Sequence, residues 1–209
     1  QVDQSAIIES LEKLEKIKYK NIVIIKSTIP PGSCDTYSKR FNLKIVFNPE
    51  FLRESTTPNE DFQNQDTIVI GTDSKENYQF VKEMYQKVAV PNAKYYNTTS
   101  KEAEMIKTAQ NTMLASRVAL ANMIYDACEE NDVDYQKVKE IAFDSFEILG
   151  SHMTQVPGPD GCRGFGGKCL PKDIRAFSTV YNSELLDSLI NYNDSLRDDL
   201  DRFLKNYEQ

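Results

Sequence analysis

The stretch Asn21-Ile22-Val23-Ile24-Ile25-Lys26, running into Ser27-Thr28-Ile29-Pro30-Pro31-Gly32, decides the fold. Four consecutive β-branched residues leave no polar side chain on either face of the pleat. Such a run reads as a strand covered on both sides, as in a parallel sheet. Prolines and a glycine then end it in a loop. Outward from it, Lys44 to Phe47 is a second strand that stops at Asn48-Pro49-Glu50, Thr67 to Gly71 a third and Ala93 to Tyr96 a fourth. Helical spacing separates them: Ile7, Ile8, Leu11, Leu14 and Ile17 in residues 3–18, then Ser33 to Phe41 and Lys75 to Val88. This alternation predicts an α/β fold with a parallel sheet and crossover helices. Ligands meet such sheets at the carboxyl ends of the strands, where Thr28 and Glu50 stand.

The pattern changes at Ser100. A helix with acids in its first turn runs from there to about Glu130, and Asn131-Asp132-Val133-Asp134 breaks it. A second helix follows over Tyr135 to Ala142. A loop rich in Gly and Pro covers Asp144 to Gly167, and a last helix runs from about Asp173 past Asn193. The expected organisation is an α/β part over 1–98 and an all-helical part over 99–209.

Within the helical part lies Gly164-Phe165-Gly166-Gly167-Lys168-Cys169-Leu170-Pro171-Lys172-Asp173. Glycines allow left-handed turns and close approach of a ligand to the main chain. A cysteine opening a helix sits at the positive end of the dipole, which favours thiolate, and Lys172 acts the same way. Asp173 is suited to cap the helix or act on water. Buried structural cysteines after glycine turns are also common, and on this run alone the two readings balance.

Composition narrows the rest. The 209 residues are 40% hydrophobic and 27% charged, an ordinary soluble make-up. The net charge of −7 disfavours nucleic acid as a partner. No apolar run reaches membrane-span length and no signal-peptide pattern opens the chain. Cys34, Cys128, Cys162 and Cys169 show no zinc spacing, so no metal is expected, and their scatter fits a reduced, cytoplasmic protein. His152 is the single histidine, which argues against a Cys-His pair and leaves carboxylates, lysine or water as base.

Lys107 and Asn111 stand four apart and share a helix face among Ile106, Met113, Leu114 and Val118. On a largely buried helix, both need partners. Glu50 and Glu54 flank Phe51-Leu52-Arg53 after a strand; taken alone, a surface loop with an internal Arg53 ion pair is the simpler reading.

Five segments in order, Lys26 to Gly32, Asn48-Pro49-Glu50-Phe51-Leu52-Arg53-Glu54, Lys107-x-x-x-Asn111, Val156-Pro157-Gly158-Pro159-Asp160-Gly161 and Gly164 to Asp173, resemble the UDP-glucose/GDP-mannose dehydrogenases over nearly the whole chain, most closely the UDP-glucose branch. The resemblance implies a Rossmann-type part followed by a dimerising helical domain of the 6-phosphogluconate dehydrogenase type. It implies two NAD-linked oxidations of a sugar C6 alcohol to a carboxylate. Cys169 would be the nucleophile, Lys107 and Asn111 the oxyanion stabilisers, Asp173 and Thr28 the water-positioning groups, and Glu54 the proton-transfer residue. Glu50, Phe51, Leu52, Phe165, Gly166 and Gly167 would contact substrate, with Thr28, Glu54 and Lys172 toward NAD. A nucleotide sugar and a second copy of the chain are the expected partners. The family's strand–GxGxxG–helix unit and its nucleotide-sugar domain have no counterpart here, so this polypeptide alone is expected to bind NAD weakly and not to turn over. The GDP-mannose branch and a non-catalytic dimerising relative are the alternatives.

Overall fold

A computed structural model describes residues 3–51, 58–146 and 153–197 of the chain. These form two units, Gln1–Ala109 and Gln110–Gln209.

Among the described residues, the first unit is built on four strands, β1 (Ile22–Ile25), β2 (Lys44–Phe47), β3 (Thr67–Gly71) and β4 (Lys94–Thr98), in the order β1-β2-β3-β4. Their helices are α1 (Ser5–Lys16), α2 (Ser33–Arg40), α3 (Pro58–Gln63) and α4 (Lys75–Gln86). Side chains alternate across the sheet with the strand period of two. Val23, Ile25, Ile45, Phe47 and Val69 pack with Leu11, Cys34, Tyr37 and Phe41 of α1, α2 and the loop after it. Ile22, Ile24, Val46, Ile68 and Ile70 pack on the other face with Val81 and Tyr85 of α4. Both faces are covered, which is why the strands carry continuous rather than alternating apolar residues.

The α/β class is as expected, but the sheet is mixed. β1 pairs parallel with β2 and β3 parallel with β4, while β2 and β3 meet antiparallel through the single pair Phe47↔Gly71. The physical reason lies at that junction. Pro49 has no N–H with which to extend β2, and Asn48 turns its Nδ2 to the Val69 carbonyl at 2.8 Å instead. Gly71 has the room to meet Phe47 because it has no side chain. A Cβ there would stand 2.7 Å from the Ala103 Cβ and 3.2 Å from the Phe47 carbonyl oxygen. Pairing also runs Ile25↔Phe47 and Gly71↔Thr98, so the carboxyl ends of all four strands line up across the sheet. Gly71→Ala is expected to cost about 1–3 kcal/mol by overpacking, read as a lower urea midpoint; an unchanged midpoint would mean that Ala103 yields freely.

Helix α5 (Ser100–Glu130) spans the predicted range. The second unit continues with α6 (Tyr135–Lys139), a π-helical turn Glu140–Asp144, α7 (Leu170–Ser178) and α8 (Glu184–Leu196). The single last helix expected past Asn193 is two helices. Asn182-Ser183 breaks the run, with Ser183 extended, and Glu184 and Asp187 place acids in the first turn of the restart. One cluster in this unit joins Ala115, Ala119, Phe165, Ile174 and Leu186. Another joins Ala121, Cys128, Tyr135 and Val156.

Candidate functional site

The first group of candidates lies at the strand ends of the first unit. Thr28 is half-buried in the loop leaving β1, and Glu50 and Phe51 leave β2. Glu50 faces Lys26, with 3.5 Å between carboxylate and ammonium. That Lys26 Nζ also donates to Asn48 Oδ1 at 3.2 Å and to the Tyr85 hydroxyl at 3.0 Å, and Tyr85 donates onward to Asn48. The network fixes the first residues after β1 and β2 relative to one another. Lys107 of α5 is only 8% exposed, and its ammonium lies 5.6 Å from the centroid of the Phe51 ring, a cation–π placement. Leu52, Arg53 and Glu54 lie outside the described residues, as does His152.

Glu104, one turn before Lys107, is fully buried. Its carboxylate accepts from the Gly32 N–H at 2.5 Å and the Cys34 N–H at 2.8 Å. Gly32 is left-handed and opens α2. This carboxylate therefore fills the N-terminal end of α2, the kind of site that suits an anion. Burial raises the Glu104 pKa above the usual carboxylate range, against the two N–H bonds, which lower it.

The second group lies in the second unit. Cys169 occupies the N-cap of α7, makes no side-chain cap bond and is exposed. Of the other cysteines, Cys34 and Cys128 are buried and Cys162 is partly so. Burial, then the Glu104 charge, pushes the Cys34 thiol pKa far up. Asp173 lies one turn into α7, 0% exposed, with its N–H on the Cys169 carbonyl at 2.9 Å. Asn111 Nδ2 donates to Asp173 Oδ2. Lys172 sits 3.6 Å from the other carboxylate oxygen. The buried asparagine has thus found the partner its burial demands, and that partner is the acid predicted to act on water.

In the glycine run, Gly164 and Gly167 have φ of +75° and +74°, so glycine is required at both. The Phe165 side chain is buried in the core of the second unit. Gly166 has a different reason. Its open face is covered by Arg197, whose Nη1 lies 2.2 Å from where a Cβ would be. The room at Gly166 holds the Arg197 guanidinium.

Residues 1–89 match the NAD binding domain of the UDP-glucose/GDP-mannose dehydrogenase family, and residues 101–195 match that family's central domain. The chain belongs to this family. The NAD expectation agrees with the first of these matches. A UDP-glucose 6-dehydrogenase of Rickettsia bellii is 34% identical over 197 residues, covering 91% of this chain and 44% of that protein. The chain thus spans less than half the length of that relative. A solved UDP-glucose dehydrogenase of Pyrobaculum islandicum superposes with a TM-score of 0.77 at 27% identity, over 92% of this chain and 46% of that one. A UDP-D-ManNAc dehydrogenase of Pyrococcus horikoshii shares the fold, with a TM-score of 0.79 at 20% identity, over 93% and 47%. Helix α5 carries Lys107 and Asn111, and α7 carries Asp173 with Cys169 at its N-cap. No helix among the described residues is long and apolar enough to cross a membrane.

Proposed function

We propose that this chain carries the covalent machinery of an NAD-dependent UDP-glucose 6-dehydrogenase, with residues 1–98 serving the NAD-binding side and residues 99–209 the helical, dimerising side. The observation that carries this reading is an exposed cysteine at the start of α7 with the buried Asn111–Asp173 pair one turn below it. The carboxyl ends of the parallel pair β1 and β2, with the loops that leave them, suit a dinucleotide in the manner of open α/β sheets. Thr28, in the loop at one of those ends, would help hold it, as would Glu54 and Lys172. When bound, NAD+ accepts hydride.

Loss of hydride from C6 and of the hydroxyl proton turns the alcohol into the aldehyde; Cys169 Sγ then adds to that aldehyde, and the thiol proton passes to the carbonyl oxygen, giving a thiohemiacetal. Loss of hydride from C6 and of the hydroxyl proton gives the thioester. Water then attacks, the C–S bond breaks, and the carboxylate leaves while sulfur takes back a proton. Lys107 and Asn111 stabilise the oxyanion that forms on each addition. A lysine held under an aromatic ring and buried keeps its charge close to one place, which is what such stabilisation needs. Asp173, fixed by Asn111, orients the water together with Thr28, and Glu54 takes its proton. Glu50, Phe51 and Leu52 contact substrate chiefly through backbone.

Iodoacetamide at neutral pH is expected to label Cys169 first among the four cysteines, read by peptide mass spectrometry. Faster labelling of Cys162 in the folded chain would remove the support for this reading.

The helical side is a homodimer in this reading. Ile106, Met113 and Leu120 recur every seven residues along α5 and are exposed together with Met123, Met113 by 67%. A seven-residue apolar stripe is the pattern a partner helix covers. Light scattering at micromolar concentration should give a dimer mass. The double variant Met113→Glu, Leu120→Glu should weaken association by about 100-fold or more. A monomer mass for the unaltered chain would end the idea.

A further inference from the structure

Nothing in the described structure holds the Cys169 thiol directly, yet a nucleophile must be aimed. Downstream, α7 fixes it, through Ile174 in the core. Upstream stand Gly164, Gly166 and Gly167, the residues least able to hold a conformation by themselves. Two buried side chains from separate helices supply what the glycines lack. Asn122 of α5 accepts the Gly164 N–H at 3.0 Å, and its own Nδ2 is spent on the Val118 carbonyl at 2.8 Å. Asn193 of α8 accepts the Phe165 N–H at 2.6 Å. Arg197, just past the end of α8, donates to the Gly164 carbonyl at 3.2 Å and to Asp160 at 2.5 Å. The left-handed Gly164 is thereby bonded at both its N–H and its C=O, and a Cβ there would meet Asn193 Oδ1 at 2.6 Å. No regular secondary structure satisfies these backbone groups; the two asparagines and the arginine do.

We propose that Asn122 and Asn193 are positioning residues for Cys169, clamping the backbone of Gly164 and Phe165 so that the loop delivers the sulfur to one place at the start of α7. The proposal rests on Cys169 being the reacting group. Asn193 uses only its oxygen, since Nδ2 has no partner among the described residues. An aspartate at this position therefore keeps the one bond the clamp needs, whereas alanine removes it.

The test is the rate of iodoacetamide labelling at Cys169 in the intact chain, variant over wild type, with all four cysteines followed in the same digest. Asn193→Ala and Asn122→Ala should shift the Cys169 rate several-fold while Cys34 and Cys128, both buried, label no faster than before. Asn193→Asp should restore the wild-type Cys169 rate. The clamp is overturned by a Cys169 rate that does not change, that changes only in step with Cys34 and Cys128, or that Asn193→Asp fails to restore. Should Asn193→Ala not fold, Asn193→Ser, which is smaller but still polar, must give the same ordering. Because the readout is a ratio at Cys169, it is separate from the ranking of Cys169 against Cys162, on which the covalent reading stands or falls.

Discussion

On the proposed covalent mechanism, Cys169→Ala is expected to abolish uronate formation, with a rate loss of about 1,000-fold or more, as for other covalent nucleophiles. The second oxidation needs the thiohemiacetal, and alanine offers no atom to form it. The fold should be untouched. Cys169 is exposed and makes no cap bond, so a change of about 0.5 kcal/mol or less in unfolding free energy is expected. NADH absorbance and chromatographic detection of the uronate product together decide it. Uronate made at an undiminished rate by the variant would remove sulfur from the mechanism. Asp173→Asn is the informative companion, since it keeps the shape of the partner of Asn111 while taking away the charge that orients water.

The sheet is legible in the sequence because covered strands leave a local mark, four β-branched residues in a row at Ile22 to Ile25. Its antiparallel junction leaves none. That depends on the approach of Gly71 to Ala103 and on Asn48 replacing a ladder bond, both facts of tertiary packing. Likewise the apolar residues Val180 and Tyr181 carry the helical pattern across the break between α7 and α8, and only Asn182-Ser183 marks it. The same division holds for the candidate site. Cys169 and Asp173 are readable because glycines and a helix start surround them within ten residues. Asn122, Asn193 and Glu104 are not, because a polar residue on a long helix looks like solvated surface until its partner is seen. That partner is 42 residues away for Asn122, 28 for Asn193 and 70 to 72 for Glu104. Arg197 lies 31 residues past Gly166, so its approach to that glycine leaves no local mark in the sequence.

Glu104 carries the other large expected effect, this time on stability. Its carboxylate is the sole side-chain cap of α2 in the described structure, reaching from α5 to the N–H groups of Gly32 and Cys34. Glu104→Ala leaves both donors without it in a largely dry place, so a loss of about 2–5 kcal/mol is expected. The loss should also loosen the Ile29 to Gly32 turn against the helix that presents Lys107. The pH dependence follows from the direction of the shift. Burial raises the pKa of Glu104 above its ordinary 4.5, the charge of Asp35 adds to this, and the N–H bonds from Cys34 and Gly32 oppose it. A carboxyl whose folded pKa is raised holds its proton longer in the folded chain than in the unfolded one. Its contribution is then full below the unfolded value and fades as pH rises through the folded one. Urea unfolding from about pH 4.5 to 7 should therefore show the wild-type chain losing stability relative to Glu104→Gln, which cannot ionise. A difference that stays flat across that range would mean that the two N–H bonds outweigh burial and that Glu104 is held as a carboxylate throughout. Wild-type stability that rises relative to Glu104→Gln across that range would reverse the sign of the argument.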